Sequence, residues 1–237
     1  MKLSGRMVAV LGAALVMVVL FATDQILPPV SAYQAEMRVW MAARATGIVS
    51  LVLLTLLIVL GIVLSHPEQS RWKQAKRIFP WHESLWVFVM AFLIVHIVSL
   101  VLDPYAGVGV AGAMLPGMSE YRTVPVALGV VAMYALVVTV VTARYTALLP
   151  SGTWLRLHRL SAVVLALAWG HGVLSGTDSE ALRPLYWGIA LVVFAAAGYR
   201  YWVDRTRARA RMRQSPSTTP QRTLNLEDSH VEPQPAP

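Results

Sequence analysis

The sequence contains no cysteine, and charged residues make up only 14% of its 237 positions. Without cysteine the chain cannot form disulfides, iron–sulfur clusters, cysteine-ligated zinc sites or the C-x-x-C-H attachment of a c-type haem. No G-x-x-x-x-G-K-[ST] phosphate-binding loop occurs in it, and no nucleotide-binding domain is predicted. Any metal centre in this chain must be bound without thiolates.

Long hydrophobic runs fill most of the sequence instead. Hydrophobic residues make up 57% of the chain, against about 45–50% in a typical soluble domain, and the mean hydropathy is +0.59. This composition predicts an all-α, multi-pass membrane bundle. Six segments reach the length of about 20 residues at which a helix crosses a bilayer: roughly 7–27, 44–64, 83–102, 124–148, 158–175 and 185–202.

The first of these segments has two interpretations. Lys2 and Arg6, followed by an apolar run and the sequence Val30-Ser31-Ala32, match a signal peptide with its cleavage site. The length of the apolar run and the long spacer before that site favour a retained transmembrane helix. We therefore expect six transmembrane helices.

The net charge of +8 is distributed as the positive-inside rule describes. Arginine and lysine concentrate in the 65–81 and 144–159 loops and in the tail, whereas the 103–123 and 176–184 loops each carry a single arginine. This pattern predicts a protein of the cytoplasmic membrane with both chain ends cytoplasmic, and it argues against nucleic acid as a partner. The expected domains are an N-terminal helix with an outer loop (1–39), a transmembrane domain (40–202) and a basic, then disordered tail (203–237).

Four of the six histidines fall at matched positions in two of the predicted spans. His82 and His96 bracket one span, His158 and His171 bracket another, and the predicted topology makes these spans parallel. Two levels about 20 Å apart are therefore expected, each with one imidazole per helix. The other two histidines are expected to be ordinary solvated residues: His66 and His230.

Two imidazoles per level suit an iron porphyrin with an axial base on each face, whereas zinc would need more ligands. A proton relay, a transport function or plain interhelical hydrogen bonds remain as alternatives. The fourteen-residue interval keeps the first pair within about 40° on one helix face. The thirteen-residue interval leaves His158 and His171 about 140° apart in an ideal helix, and we expect Gly170 and Gly172 to permit local twisting or close approach of a flat ring.

These intervals, together with several short motifs, resemble the ferric-reductase-like transmembrane domain over roughly residues 40–202. That family includes ferric reductases, NADPH oxidases and the haem-binding membrane subunit of bacterial methionine sulfoxide reductase systems. Both histidine intervals match its eukaryotic members. The matching motifs are ARATG at Ala43–Gly47, WLRLHRL at Trp154–Leu160, WGHG at Trp169–Gly172 and the DPY that begins at Asp103.

The resemblance implies two b-type haems, each held by two histidines. The inner haem would lie between His82 and His158, the outer haem between His96 and His171, and electrons would pass from the cytoplasmic to the outer side. Arg44 would lie near the outer haem and pair with a propionate or an anionic acceptor, although a snorkelling interface residue explains it equally. The inner propionates have two candidate partners, which ordinary positive-inside charge also explains: Arg77 and Arg159.

The sequence departs from the ferric reductases and NADPH oxidases, which usually carry a flavin- and NADPH-binding domain after the last helix. A polar, proline-rich stretch stands there instead. We therefore expect an oxidoreductase component that binds no flavin and receives electrons from a separate cytoplasmic flavoprotein or from membrane quinol, with the outer acceptor left open. The residues offer no acid–base pair and no activated nucleophile. The alternatives are a haem-free proton channel or transporter that uses the histidines, and a variant with one haem.

Overall fold

The computed structural model describes residues 29–65, 75–176 and 180–214, together with isolated residues between 7 and 21. Within these residues all regular structure is helical. The helices are α1 (Ala32–Leu64), α2 (Ala75–Leu102), α3 (Gly109–Met114), α4 (Thr123–Arg144), α5 (Thr153–His158), α6 (Ser161–Ser175) and α7 (Arg183–Gln214), with a short 3₁₀ turn at Thr146–Leu148. Most of the first predicted span, the predicted disordered tail, His66 and His230 lie outside the described residues.

Four helical stretches are long and apolar enough to cross a membrane. They are Ala32–Leu64, Arg77–Leu102, Thr123–Arg144 and Thr153–Ser175, the last of which joins α5 and α6. Among the described residues α7, which includes the predicted 185–202 span, is not one of the four. The prediction of an all-helical, membrane-embedded protein is confirmed at this level, and the six spans with both ends cytoplasmic remain a prediction.

Helix α1 begins well before the predicted start of its span at residue 44. The Ser31 side chain accepts a hydrogen bond from the backbone N–H of Gln34 at 3.1 Å. The Gln34 side chain in turn accepts one from the N–H of Val30 at 2.7 Å, so two N–H groups at the start of the helix gain partners, much as in a capping box. Residues 32–39, predicted to be part of an outer loop, are therefore helical.

A turn between α5 and α6 accounts for the thirteen-residue interval between the two histidines of the Thr153–Ser175 span. Helix α5 ends at His158, α6 begins at Ser161, and the N–H of Leu160 donates to the carbonyl of Leu157 at 2.9 Å. This three-residue pattern is that of a 3₁₀ turn, in which each residue advances by about 120° and not the 100° of an α-helix. Three such residues remove about 60° of the ideal separation of about 140° between His158 and His171.

The twisting predicted at Gly170 and Gly172 is thus found elsewhere, but Gly172 does admit a flat ring. A Cβ atom at Gly172 would lie 3.2 Å from the ring of Tyr186, and the Tyr186 hydroxyl donates to the Gly172 carbonyl at 3.1 Å. A Cβ atom at Gly170 would meet only Leu128, at 3.9 Å. The ring that approaches α6 at Gly172 therefore comes from α7.

The helices pack in an order that leaves a gap between the two that carry the histidines. Helix α1 packs closely on α2, α4 packs on α5 and α6, and α1 also contacts α6. Among the described residues α2 and α6 are not a closely packed pair. The buried cluster at the centre draws on α1, α2, α4, α6 and α7: Leu51, Leu54, Leu57, Ile58, Val89, Leu136, Val164, Leu165, Tyr186 and Ile189.

The chain divides into two compact units, Met1–Arg200 and Tyr201–Pro237. In the second unit the basic stretch stays helical as far as Gln214, and the Arg205 guanidinium lies 4.4 Å from the centre of the Tyr201 ring. All of the candidate site residues belong to the first unit. The domain limits predicted from the sequence remain predictions.

Candidate paired-histidine centres

The structure brings the four predicted histidines together in the two predicted pairs. The ring centroids of His82 and His158 are 6.1 Å apart, with an angle of 84° between the ring planes. Those of His96 and His171 are 6.3 Å apart, with an angle of 77°. We call the first the inner pair and the second the outer pair. Each joins α2 to the span formed by α5 and α6, across the gap between them.

The centroid distances fit one atom placed between two facing ring nitrogens. A metal–imidazole bond of about 2.0–2.1 Å, with the ring centre about 1.1 Å behind the nitrogen, puts the centroids about 6.3 Å apart. A direct hydrogen bond of about 2.9 Å between the rings would give about 5.1 Å. The observed distances of 6.1 and 6.3 Å match the first value, and they also lie in the range of about 4.5–7 Å of ordinary edge-to-face ring contacts. The spacing of each pair is therefore compatible with two axial ligands.

The donor set fits a metal carried in a macrocycle better than a bare ion. Within the described part of the chain, no group of three or more His, Cys, Asp or Glu side chains is placed to hold a metal ion. Structural zinc sites use four protein ligands, whereas a porphyrin brings four nitrogens of its own and needs only two axial bases. Two imidazoles facing each other across a gap between helices satisfy the second requirement.

His96 is held by a carbonyl and a glycine on α1. Its Nδ1 donates to the carbonyl of Ala43 at 2.7 Å, and its ring lies so close to Gly47 that a Cβ atom there would be 2.9 Å away. Because a carbonyl can only accept, Nδ1 must carry the proton. The lone pair of Nε2 is then available for a metal, which is the arrangement found around metal-bound histidines.

His171 is held in the same way by α4. Its Nδ1 donates to the carbonyl of Pro125 at 2.8 Å, and a Cβ atom at Gly129 would lie 2.7 Å from the ring. The hydroxyl of Ser175 lies 3.2 Å from the same nitrogen, one turn further along α6. Both members of the outer pair therefore present Nε2.

The two members of the inner pair differ from each other. His82 donates from Nδ1 to the carbonyl of Leu57 at 3.0 Å, and a Cβ atom at Gly61 would lie 3.2 Å from its ring. The Nδ1 of His158 is buried and has no hydrogen-bond partner among the described residues. A neighbouring ring, that of Trp154, lies 6.1 Å away between centroids. In the part of the chain that the structure describes, His158 is thus the candidate ligand whose Nδ1 has no hydrogen bond to fix the ring.

A cavity surrounds the outer pair. His96, His171 and Arg44 all line it, so the fifth predicted site residue lies in the same cavity as the two outer histidines. The Arg44 guanidinium lies 5.8 Å from the centre of the Trp40 ring, within the range of a cation–π contact. Tyr186, on α7, also lines the cavity, and its hydroxyl donates to the Gly172 carbonyl on α6.

The two arginines considered for the inner level lie at helix ends. Arg77 is exposed in the first turn of α2, and Arg159 is exposed in the turn between α5 and α6. Both positions are those of ordinary positive-inside residues as well. Their assignment to the inner level remains a prediction.

Sequence reasoning missed the residues that hold the histidines. Gly47 was seen only as part of a motif, and Gly61, Gly129 and Tyr186 were not singled out. One signal was present in the sequence: Gly47 and Gly61 are fourteen residues apart, the same interval that separates His82 from His96. On antiparallel neighbouring helices, equal intervals place each glycine opposite a histidine.

No protein-family model matches this chain, and no curated protein or solved structure matches it. The likeness to the ferric-reductase-like domain therefore rests on the residues of this sequence. The geometry of the two histidine pairs is independent of that likeness, because it comes from the packing of α1, α2, α4 and α6.

Proposed function

We propose that this chain is a b-type, di-haem membrane cytochrome that moves electrons across the cytoplasmic membrane. The donor would be a cytoplasmic flavoprotein or membrane quinol, and the acceptor would lie on the outer side. In this proposal the chain crosses the membrane six times with both ends cytoplasmic. One observation carries it: two facing histidine pairs, each at the spacing of two axial ligands, lie fourteen residues apart along α2.

Each pair would hold one haem. His82 and His158 would bind the inner one, and His96 and His171 the outer one. Bound between two imidazoles, an iron porphyrin supplies a one-electron redox centre. The residues of the chain supply the binding: a cavity surrounds the outer pair, and the Nδ1 bonds aim three of the four Nε2 atoms away from the backbone.

The layer between the two levels favours electron transfer over proton transfer. Its core is formed by leucine and valine side chains such as Leu54, Val89 and Val164. The hydroxyls of Ser50 and Thr55 donate to backbone carbonyls at 3.3 and 2.8 Å. A proton path would need groups that exchange hydrogen bonds from one level to the next, whereas these hydroxyls are already committed to the backbone.

Arg44 would complete the outer level. Its guanidinium lies in an apolar cavity with the two outer histidines, where a positive charge pairs favourably with a carboxylate such as a propionate or an anionic acceptor. The chain would act as the membrane component of an oxidoreductase, since the redox chemistry belongs to the bound group.

The experiment is a reduced-minus-oxidised spectrum of the purified protein, combined with a measurement of haem per chain. The expected result is b-type absorption with two low-spin haems per chain, falling to one low-spin haem in His96→Ala and staying at two in the control His230→Ala. A colourless protein would refute the proposal and favour the proton channel, which a pH-gradient assay in vesicles would then test. One haem in the wild type would favour the single-haem variant, and two low-spin haems in His96→Ala would refute the ligand pairing.

A further inference from the structure

We propose that Gly47, Gly61 and Gly129 are positioning residues, each of which holds one histidine in a seat, and that His158 has no such seat among the described residues. A histidine seat is defined here as a helix carbonyl that accepts from Nδ1 together with a glycine four residues later on which the imidazole rests. The measurements of haem content and potential that test this inference rest on the proposed function. The existence of the seats does not, because it follows from the contacts of the histidines.

The same arrangement occurs three times, on two different helices. In each case the carbonyl and the glycine are four residues apart, so they lie one above the other on the same helix face. The missing side chain lets the ring lie against the helix, and Nδ1 then reaches the carbonyl one turn away. The three seats are Ala43 with Gly47 for His96, Leu57 with Gly61 for His82, and Pro125 with Gly129 for His171.

Glycine at these positions needs an explanation, because glycine in a helix interior costs about 1 kcal/mol relative to alanine. Gly188 and Gly198, on α7, have nothing within 4 Å of the place where a Cβ atom would stand. The three seat glycines instead have an imidazole there. The close approach of the ring is a sufficient physical reason for glycine at the seats.

The three seats differ in how tightly they hold the ring. A Cβ atom would come within 2.7 Å of His171 at Gly129 and within 2.9 Å of His96 at Gly47, both closer than real Cβ contacts. At Gly61 the corresponding distance to His82 is 3.2 Å, so a small shift of the ring would accommodate a methyl group. The outer level therefore depends on its two glycines more strongly than the inner level depends on Gly61.

The register offers no equivalent seat for His158. His158 precedes His171 by thirteen residues, and thirteen residues beyond Gly129 on the neighbouring helix is Thr142. The Thr142 hydroxyl donates to the carbonyl of Val138, four residues earlier, at 2.7 Å. At this position a side chain of α4 itself occupies the carbonyl that would complete a seat, and the Nδ1 of His158 is left without a partner among the described residues.

The test compares alanine substitutions at the three seats with Gly188→Ala and Gly198→Ala in the purified full chain. Haem per chain and the midpoint potential of each haem are measured together with the unfolding temperature. Gly47→Ala and Gly129→Ala should each reduce low-spin haem from two to one per chain by loss of one outer axial ligand. Gly61→Ala should retain both haems and shift the inner potential alone, and both controls should match the wild type in haem content and potentials.

Unchanged haem content and potentials in all three seat variants would overturn the inference. Because alanine favours the helix, a lower haem content without a fall in the unfolding temperature of the haem-free protein identifies a displaced ligand and not a damaged fold. Should the two outer variants fail to fold, Gly61→Ala decides: a shift confined to the inner haem supports the seats, and no shift contradicts them.

A second readout does not depend on haem. Imidazole ¹⁵N spectra of the haem-free, histidine-labelled protein in bilayers should show protonated, hydrogen-bonded Nδ1 at three histidines, with the His96 signal altered in Gly47→Ala alone. If the wild type binds no haem but shows this pattern, the proposed function fails and the seats stand. If it binds two haems without the pattern, the seats fail and the proposed function stands.

Discussion

The outer and inner histidine pairs have nearly the same spacing but are fixed to the protein in different ways. In the outer pair both imidazoles donate to carbonyls of neighbouring helices, and each lies against a glycine. In the inner pair His82 is held in this way, whereas His158 stands at the end of α5 with its Nδ1 unpaired among the described residues. The geometry of each pair therefore depends on the hydrogen bonds made by the Nδ1 atoms as well as on the distance between the rings.

The difference has a physical consequence for metal binding. A hydrogen bond to the second ring nitrogen fixes the tautomer and the ring orientation, and it raises the basicity of the ligand. The outer pair meets this condition on both sides and the inner pair on one side only. The outer level is preorganised for two axial bonds, and the inner level is preorganised for one.

The largest expected effect comes from removing each inner ligand in turn. His82→Ala should remove the inner haem completely, because the Nδ1 of the remaining His158 has no hydrogen-bond partner among the described residues. His158→Ala should retain part of the inner haem in a five-coordinate, high-spin form, because His82 keeps its bond to Leu57. Haem per chain and the high-spin absorption distinguish the two variants. Equal and complete loss in both would show that the two inner ligands are equivalent.

An external ligand should distinguish the levels by a smaller effect. Carbon monoxide added to the reduced protein should bind at up to one of the two haems, since His158 is the ligand most easily displaced. The inner haem should account for this binding, so the double variant His96→Ala/His171→Ala, which lacks both outer ligands, should keep the same CO signal. The measurement is a CO difference spectrum on the wild type and the double variant. A signal that disappears in the double variant would place the weaker ligand at the outer level.

The smallest expected effect comes from the charge in the outer cavity. Arg44→Leu should lower the outer midpoint potential by roughly 40–80 mV, or about 1–2 kcal/mol for one electron, because a nearby positive charge favours the reduced form. Arg44→Lys should keep most of the potential, and the inner haem should change little because it lies about 20 Å farther away. Potentiometric titration of the three proteins tests this. An equal shift at both levels would contradict a location beside the outer pair.

Much of the site could be predicted from the sequence because it depends on regular geometry. Apolar segments give the helices, the distribution of arginine and lysine gives their direction, and fixed rise per residue gives the two depths. Those rules are sufficient to match His82 with His158 and His96 with His171. They apply to any helix and need no knowledge of how side chains pack.

The remainder depends on local hydrogen bonds that such rules do not contain. The early start of α1 depends on one pair of side-chain bonds around Ser31 and Gln34. The 3₁₀ turn at Leu160 changes the phase of the span by an amount that an ideal helix cannot supply. To predict the seats one must know which carbonyl faces which imidazole ring. A glycine in an apolar segment does not give that information.

The two seats on α1 also restrict the distance that can separate the inner and outer histidine levels. Seats must fall on one face of a single helix, so their separation is restricted to whole turns, with intervals near 11, 14 or 18 residues and lengths of about 16, 21 or 27 Å. Intermediate lengths would point one seat away from α2. In the proposed cytochrome, the path that an electron would cross between the levels is consequently set in discrete steps, and Gly47 and Gly61 would select the middle one.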